Sequence, residues 1–181
     1  MTQGLIVIDV QNDYFAKGQL PLVNPEAALA CINQLEDYFL AQQLPIIYIQ
    51  HIDYRQDAPL FKAQTSGVQL HANLRVNSDS TIVTKQYPNS FYHTDLTQRL
   101  HQLAVDQVVI CGMMTHMCVD STTRAARELG WNPLLITDAT ATTDLKMNGQ
   151  TVTADQVSTA FLAALASFAT EQTTAEFLQQ H

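Results

Sequence analysis

Five runs of apolar and largely β-branched residues recur along the chain and predict strands. They cover residues 5–10, 45–50, 81–85, 108–112 and 133–137. The runs are continuous rather than alternating, which is typical of parallel strands that are covered on both faces of a sheet.

Stretches with helical periodicity lie between these strands, over residues 24–42, 95–104, 117–129 and 155–169. The first begins with Asn24-Pro25, which fits an N-cap followed by proline at the first helical position. The third ends at Gly130, which suits a left-handed C-terminal cap. This alternation predicts a doubly wound α/β domain, and residues 175–178 are expected to add a short sixth strand.

The segment 52–80 shows no clear periodicity beyond one short helix at most. A loop of this length in a compact domain is usually functional or mobile. The segment is therefore a candidate lid or oligomer contact, with a plain surface excursion as the alternative.

Composition limits the partners and the compartment. The 181 residues form a single predicted domain, 1–181, and nine Lys and Arg against 17 Asp and Glu give a net charge of −8. This charge argues against affinity for nucleic acid or anionic membranes, so a small molecule is the expected partner. Cys31, Cys111 and Cys118 show no disulfide or metal spacing, and no signal peptide or apolar span of transmembrane length is evident. We expect a cytoplasmic protein with reduced thiols.

Three polar residues stand where ligands bind in such folds, beyond the carboxyl ends of the strands. Asp9 is the next-to-last residue of the first run, Lys85 ends the third, and Cys118 follows the fourth. A carboxylate in an apolar run is costly unless it is paired or at a wet edge. Each residue has an alternative role. Asp9 could be a structural cap, although that role suits Asp13 better, and Lys85 could extend to solvent.

Cys118 is predicted to lie in the first turn of a helix. If Thr115 is the N-cap, Cys118 is the third helical residue, and Met114 and Val119 form a hydrophobic staple. The helix dipole and a nearby lysine would lower the pKa of the thiol and give a thiolate near neutral pH. The alternative is a buried, inert cysteine.

Three segments resemble the cysteine hydrolases of the isochorismatase-like superfamily, which includes nicotinamidases and N-carbamoyl amide hydrolases. They are LIVIDVQNDYF, TKQYPNSFYHTDL, and VVICGMMTHMCVDSTTRAARELG with ITDATATT beyond it. The resemblance covers nearly the whole chain. It implies a three-layer α/β/α Rossmann-like fold with a six-stranded parallel sheet of order 3-2-1-4-5-6, and an assembly of two or more copies.

The same resemblance implies a catalytic triad of Asp9, Lys85 and Cys118. It also implies a cis peptide between Met113 and Met114, and an oxyanion hole formed by the N–H groups of Met114 and Cys118. With these roles the chain would hydrolyse a small-molecule C–N bond in an amide, lactam, carbamoyl or imide through a thioester, and no cofactor is expected.

Nicotinamidases in this superfamily bind a metal through an Asp-x-His pair and a further histidine. Here the pair is reversed as His51 and Asp53, with His71 as the nearby third candidate. Side chains two apart on a strand face the same way, so these residues form a weak candidate metal site. A polar rim on the pocket is the preferred interpretation, and no metal is expected.

Aromatic and histidine residues near the motifs are candidates for the substrate pocket: Phe15, Tyr87, Phe91 and His116. Phe91 is favoured because the family motif has an aromatic residue there. The other aromatic residues could equally belong to the core or an interface. His116 either faces the pocket or caps the helix start.

Two other functions remain open. One is isochorismatase-type hydrolysis of a vinyl ether, which needs no thiol nucleophile. The other is a catalytically inactive binding module that keeps the fold.

Overall fold

A six-stranded parallel sheet forms the centre of the protein in a computed structural model that describes residues 2–180. The strands of the chain are β1 (Gln3–Ile8), β2 (Ile46–His51), β3 (Thr81–Lys85), β4 (Gln107–Met113), β5 (Asn132–Ala141), β6 (Leu145–Met147), β7 (Gln150–Val152) and β8 (Thr170–Gln172). The sheet has the order β3-β2-β1-β4-β5-β8, and every neighbouring pair in it is parallel. Counted within the sheet this is 3-2-1-4-5-6, so the predicted fold class and strand order are confirmed.

Helices cover both faces of the sheet. They are α1 (Pro25–Ala41), α2 (Leu96–Gln102), α3 (Asp120–Glu128), α4 (Ala154–Leu165) and α5 (Thr174–Gln180), with a 3₁₀ turn at Asn12–Tyr14 and a π-helical turn at Thr115–Val119. Alternate side chains of β1 separate the core into two layers. Leu5 and Val7 pack with α1 and α5, whereas Ile6 and Ile8 pack with α2, α3 and α4.

The prediction of a sixth strand at residues 175–178 is wrong, because that segment lies in α5 and the strand is Thr170–Gln172. Thr173 and Glu176 form reciprocal contacts at the helix start: the Thr173 N–H donates to Glu176 Oε2 at 2.7 Å, and the Glu176 N–H donates to Thr173 Oγ1 at 3.3 Å. This capping box starts a helix where the apolar residues alone resemble a strand.

A two-stranded hairpin of β6 and β7 was not predicted. Its turn is Asn148-Gly149, and both residues have positive φ, 50° and 77°. Asn-Gly is the preferred sequence for a two-residue turn of this kind, so the signal was present in the sequence.

The segment 52–80 contains no element of regular structure beyond isolated β-bridges, as predicted. It is tied to the chain after β1. Asp13 Oδ2 accepts a hydrogen bond from the Phe61 N–H at 2.7 Å, and Gln11 Nε2 donates to the Val68 carbonyl at 2.7 Å. Asp13 is thus a buried structural residue, and a lid or contact role for the segment stays a prediction.

Gly112 permits a close approach of β4 to β1. Its φ is +123°, and a Cβ at this position would lie 2.1 Å from the Ile8 carbonyl oxygen. Only glycine fits this backbone. The approach brings the ends of the two central strands together, directly before Asp9 and the turn that carries Cys118.

Within residues 2–180, no helix combines the length and the apolar character needed to cross a bilayer.

Candidate active site

Asp9 and Lys85 form a fully buried ion pair at the carboxyl edge of the sheet. Lys85 Nζ lies 2.7 Å from Asp9 Oδ2, and neither side chain is exposed to solvent. Asp9 follows β1 in a left-handed conformation, with φ of 50°, and Lys85 is the last residue of β3. A buried carboxylate is costly unless it is paired, so each charge makes the position of the other tolerable.

The lysine ammonium has three acceptors around it. Besides Asp9, Lys85 Nζ donates to the Tyr87 carbonyl at 3.0 Å and lies 3.2 Å from His51 Nδ1. Burial alone would lower the pKa of Lys85, but the negative charge of Asp9 outweighs burial and raises it, and Cys118 adds to this effect when its thiol ionises. The lysine is therefore a fixed cation.

Cys118 completes the group. Ligand atoms of Asp9, His51 and Cys118 all lie within 4.8 Å of one another. The sheet edge thus brings together the three residues that sequence reasoning selected, and it adds His51 to them.

The thiol of Cys118 is protonated in the resting protein, which corrects the prediction of a thiolate near neutral pH. Burial raises the pKa of Cys118 far above its usual value, the negative charge of Asp9 adds to this effect, and Lys85 opposes both only in part. Sequence position shows the helix dipole but not the burial or the carboxylate, which come from tertiary contacts.

The start of the helix also differs from the prediction. Thr115 is not the N-cap, because its hydroxyl donates to Thr140 Oγ1 at 3.0 Å and the cap position belongs to Met114. The Met114 carbonyl accepts hydrogen bonds from the N–H groups of Met117 at 3.0 Å and Val119 at 3.2 Å. Cys118 lies between these two donors, in the π-helical turn, and the peptide bond between Met113 and Met114 is cis.

The residues predicted as a weak metal site are not brought together. Asp53 pairs with Arg55, with Oδ2 and Nη2 2.6 Å apart. The ring of His71 packs on Phe15 at 4.1 Å between centroids, and its Nδ1 accepts a hydrogen bond from the Asn73 N–H.

Among the described residues, the metal-type side chains that converge are Asp9, His51 and Cys118. Lys85 Nζ contacts two of these three, so the ammonium already supplies the positive charge there. A second cation would meet direct repulsion. This donor set does not fit a resident metal.

The predicted pocket residues lie in different surroundings. Phe15 is buried and lines a cavity of about 730 Å³ between residues 12–19 and 58–67, whose lining does not include Cys118. Tyr87 is half-exposed and lines a small cavity of about 160 Å³ that also touches Lys85. Phe91 packs against the apolar cluster that contains Cys118.

His116 contacts the elements beyond β5 and does not cap the helix. Its Nδ1 lies within hydrogen-bonding distance of Thr142 Oγ1, and its ring meets Phe161 of α4 edge-on. Whether a substrate touches any of the four predicted pocket residues stays a prediction.

Tyr14 is a neighbour of the site that sequence reasoning missed. It is almost fully buried, and its ring packs edge-on against Phe61 at 4.9 Å. Burial raises the pKa of Tyr14 first. The charge of Asp9, and that of Cys118 when its thiol ionises, raise it further, which places the hydroxyl in the electrostatic field of the site. The aromatic pair at residues 14–15 was a signal, but only its second member was selected.

Comparisons with known proteins identify the family of this chain. The family model described as Isochorismatase domain matches residues 3–176. The isochorismatase family protein YddQ of Bacillus subtilis is 42% identical over 180 residues, which is 99% of this chain and 100% of that protein. A streptothricin hydrolase of Streptomyces noursei is 29% identical over 79% of this chain and 56% of its own.

A crystal structure from Oleispira antarctica, named as an isochorismatase hydrolase, has a TM-score of 0.94 and 38% identity, covering 98% of this chain and 96% of that chain. A family model spans almost all of the sequence, a relative aligns over its full length, and a crystal structure shares the fold. This chain therefore belongs to the isochorismatase family of hydrolases.

Proposed function

We propose that this chain hydrolyses a small-molecule C–N bond, in an amide, lactam, carbamoyl or imide, with Cys118 as nucleophile and a thioester as intermediate. The observation that carries the proposal is the buried ion pair of Asp9 and Lys85, with Asp9 within 4.8 Å of the Cys118 sulfur. A nucleophile, a base that can take its proton and a fixed cation are the groups that acyl transfer requires.

The first step begins from the protonated thiol. Asp9 accepts the proton of Cys118 as the sulfur attacks the carbonyl carbon, and the C=O electron pair moves onto oxygen. Asp9 then gives the same proton to the departing nitrogen, the C–N bond breaks, and an amine or ammonia leaves a thioester on Cys118. Because the thiol is neutral at rest, the thiolate forms only as it is used.

The second step restores the enzyme. Asp9 takes a proton from water, the oxygen of that water attacks the thioester carbonyl, and the C–S bond breaks. The sulfur recovers a proton from Asp9, and the carboxylic acid product leaves. Lys85 stays positively charged throughout, so it stabilises both the carboxylate and the developing thiolate in a buried site.

The proposed oxyanion hole consists of the N–H groups of Met114 and Cys118. The Met114 carbonyl bonds to the N–H groups on either side of Cys118 and passes over the Cys118 N–H, which would be its partner in an α-helix. This pattern supports a role for the Cys118 N–H as a hydrogen-bond donor to the substrate oxygen. Losing one such donor typically costs about 3–4 kcal/mol of transition-state stabilisation.

Among the alternatives, vinyl ether hydrolysis does not use a thiol, so the placement of Cys118 beside the ion pair favours the amidase. The relative named as a streptothricin hydrolase supports hydrolytic chemistry in this family. One observation favours an inactive module: Cys118 is only 4% exposed, so a substrate needs an opening to reach the sulfur. A small-molecule partner, a homo-oligomeric assembly and a cytoplasmic location belong to the proposal.

The test is a screen of small amides, ureido compounds and lactams, read out by release of ammonia or acid. We expect turnover in the wild type, none above background in Cys118→Ala, and an acyl adduct on Cys118 by mass spectrometry. Cys111→Ala is the matched control, since that cysteine lies in β4 and packs on the opposite face of the sheet from Cys118. Full turnover in Cys118→Ala would refute the mechanism, and no turnover with any compound would favour the binding module.

A further inference from the structure

His51 ends β2 and lies directly beside Lys85, its register partner at the end of β3. His51 Nδ1 is 3.2 Å from Lys85 Nζ and 3.9 Å from Asp9 Oδ2. The imidazole therefore touches the cation of the ion pair and faces its anion.

The chemistry of the two side chains fixes the direction of this hydrogen bond. An ammonium group can only donate, so His51 Nδ1 must accept from Lys85. The ring is then neutral and carries its proton on Nε2. The ammonium is thus hydrogen-bonded to the Tyr87 carbonyl and to His51, and it forms its ion pair with Asp9.

The backbone of His51 is held by Gln11, which is fully buried. The His51 N–H donates to Gln11 Oε1 at 2.9 Å, and Gln11 Nε2 donates back to the His51 carbonyl at 2.8 Å. The ring itself packs against Phe61 at 5.4 Å between centroids. A side chain held at both its backbone and its ring can hold its neighbour in place.

We propose that His51 is a positioning residue: its neutral ring accepts a hydrogen bond from Lys85 and so directs the ammonium onto Asp9, and protonation of the ring abolishes this arrangement. The proposal rests on the function proposed above and adds a residue and a pH dependence to it.

The charged groups that face the ring come from each neighbouring element. They are the charged Lys85 from β3, Asp9 from the end of β1 and Asp53 from the chain after β2, together with the titratable but neutral thiol of Cys118 from the π-helical turn. Burial lowers the pKa of His51 first and Lys85 lowers it further, while Asp9, a backbone hydrogen bond with Gln86 and Asp53 oppose them. The ring is therefore neutral at pH 7.

Acidification would produce two adjacent cations. A protonated His51 can no longer accept from Lys85, and it would compete with the ammonium for Asp9. A carboxylate that is paired with two cations is a weaker base toward the thiol of Cys118. Activity should fall on the acid side as the ring becomes protonated, below the ordinary histidine value of 6.5.

Two substitutions distinguish the effect of the hydrogen-bond acceptor at residue 51 from the effect of its protonation. In His51→Asn, the amide oxygen takes a place close to that of Nδ1 but does not titrate. In His51→Leu, the acceptor is lost. We expect His51→Asn to keep kcat at neutral pH within about threefold and to lose the acid limb, and His51→Leu to lose about tenfold or more in kcat with little change in KM.

The decisive measurement is the profile of kcat/KM between about pH 5 and 9 for the wild type and both variants. An acid limb in His51→Asn that superimposes on the wild-type limb would overturn the proposal, and so would an unchanged kcat in His51→Leu. If His51→Leu does not fold, as judged by circular dichroism, the profile of His51→Asn decides alone.

Alkylation of Cys118 by iodoacetamide gives a readout that needs no substrate. We expect the logarithm of the wild-type rate to show an inflection below pH 6.5 that His51→Asn lacks, and superimposable profiles would overturn the proposal. A His51-dependent profile in a protein without amidase activity would refute the proposed function alone. Conversely, Cys118-dependent turnover with identical profiles in the wild type and His51→Asn would refute only the positioning role.

Discussion

The ammonium of Lys85 lies 2.7 Å from the carboxylate of Asp9, and solvent reaches neither side chain. The two residues are 76 positions apart in sequence. Asp9 follows β1 and Lys85 ends β3, and β2 lies between these strands in the sheet. Their long and short side chains close this gap over the carboxyl edge. The pair therefore links two distant segments of the chain beside Cys118.

Removing the cation alone should leave a buried, unpaired carboxylate. We expect Lys85→Met to lose activity and to lower the free energy of unfolding by about 3–5 kcal/mol, measured by urea denaturation. The double variant Asp9→Asn with Lys85→Met serves as the control, because it removes both charges and should recover a large part of that loss. A single variant as stable as the wild type would show that the pair is not buried.

The pKa of Cys118 should respond to its two charged neighbours in opposite directions. Asp9 raises it and Lys85 lowers it, so Asp9→Asn should lower the thiol pKa and Lys85→Met should raise it. The pH dependence of Cys118 alkylation, followed by peptide mass spectrometry, reports both changes.

The rate of Cys118 alkylation in the wild type should still rise above pH 9, because the ordinary pKa of a cysteine is 9.0 and that of Cys118 is higher. Asp9→Asn nevertheless loses hydrolysis, because the base that returns the proton to the leaving group is gone. An Asp9→Asn variant with an unchanged or higher thiol pKa would contradict this account.

Chelators should leave activity unchanged. Lys85 Nζ contacts Asp9 and His51, the two hard or borderline donors of the converging group, and thereby excludes a second cation. The measurement is turnover before and after dialysis against EDTA, together with the metal content of the purified protein. Stoichiometric zinc or iron whose removal abolishes turnover would reverse this conclusion.

The close approach of β4 to β1 should make Gly112 intolerant of substitution. A Cβ there meets the Ile8 carbonyl oxygen at 2.1 Å, in addition to the cost of a φ of +123°. We expect Gly112→Ala to lose more than about 3 kcal/mol of unfolding free energy, together with activity.

Gly130→Ala is the matched control for that substitution. Gly130 also has a positive φ, +91°, but nothing lies within 4 Å of the place that a Cβ would occupy there. Gly130→Ala should lower the free energy of unfolding by only about 1–2 kcal/mol, because only the backbone conformation is strained. Equal losses in the two variants would show that the contact with Ile8 contributes nothing.

The strands and the convergence of Asp9, Lys85 and Cys118 at one sheet edge could be predicted because both depend on local pattern. Continuous apolar runs predicted β1 to β5 within a few residues, apart from a longer β5, and polar residues at the ends of those runs identified Asp9 and Lys85. The sixth strand was misplaced because the capping pair of Thr173 and Glu176 was not recognised.

The environment of the site could not be predicted in the same way. The raised pKa of Cys118 depends on burial and on Asp9, which come from chain segments far apart in sequence. His51 was interpreted as a polar rim, although it ends a strand as Lys85 does. Its contact with Lys85 becomes visible only when the two strand ends are placed side by side.

The attachment of the segment 52–80 has a consequence for how such a hydrolase diversifies. Buried side chains of Gln11 and Asp13 hold it at Val68 and Phe61, so the segment is anchored at two points by the chain that follows β1. Substitutions between these two anchors should therefore leave both attachment points, and the end of β1 that they adjoin, in place.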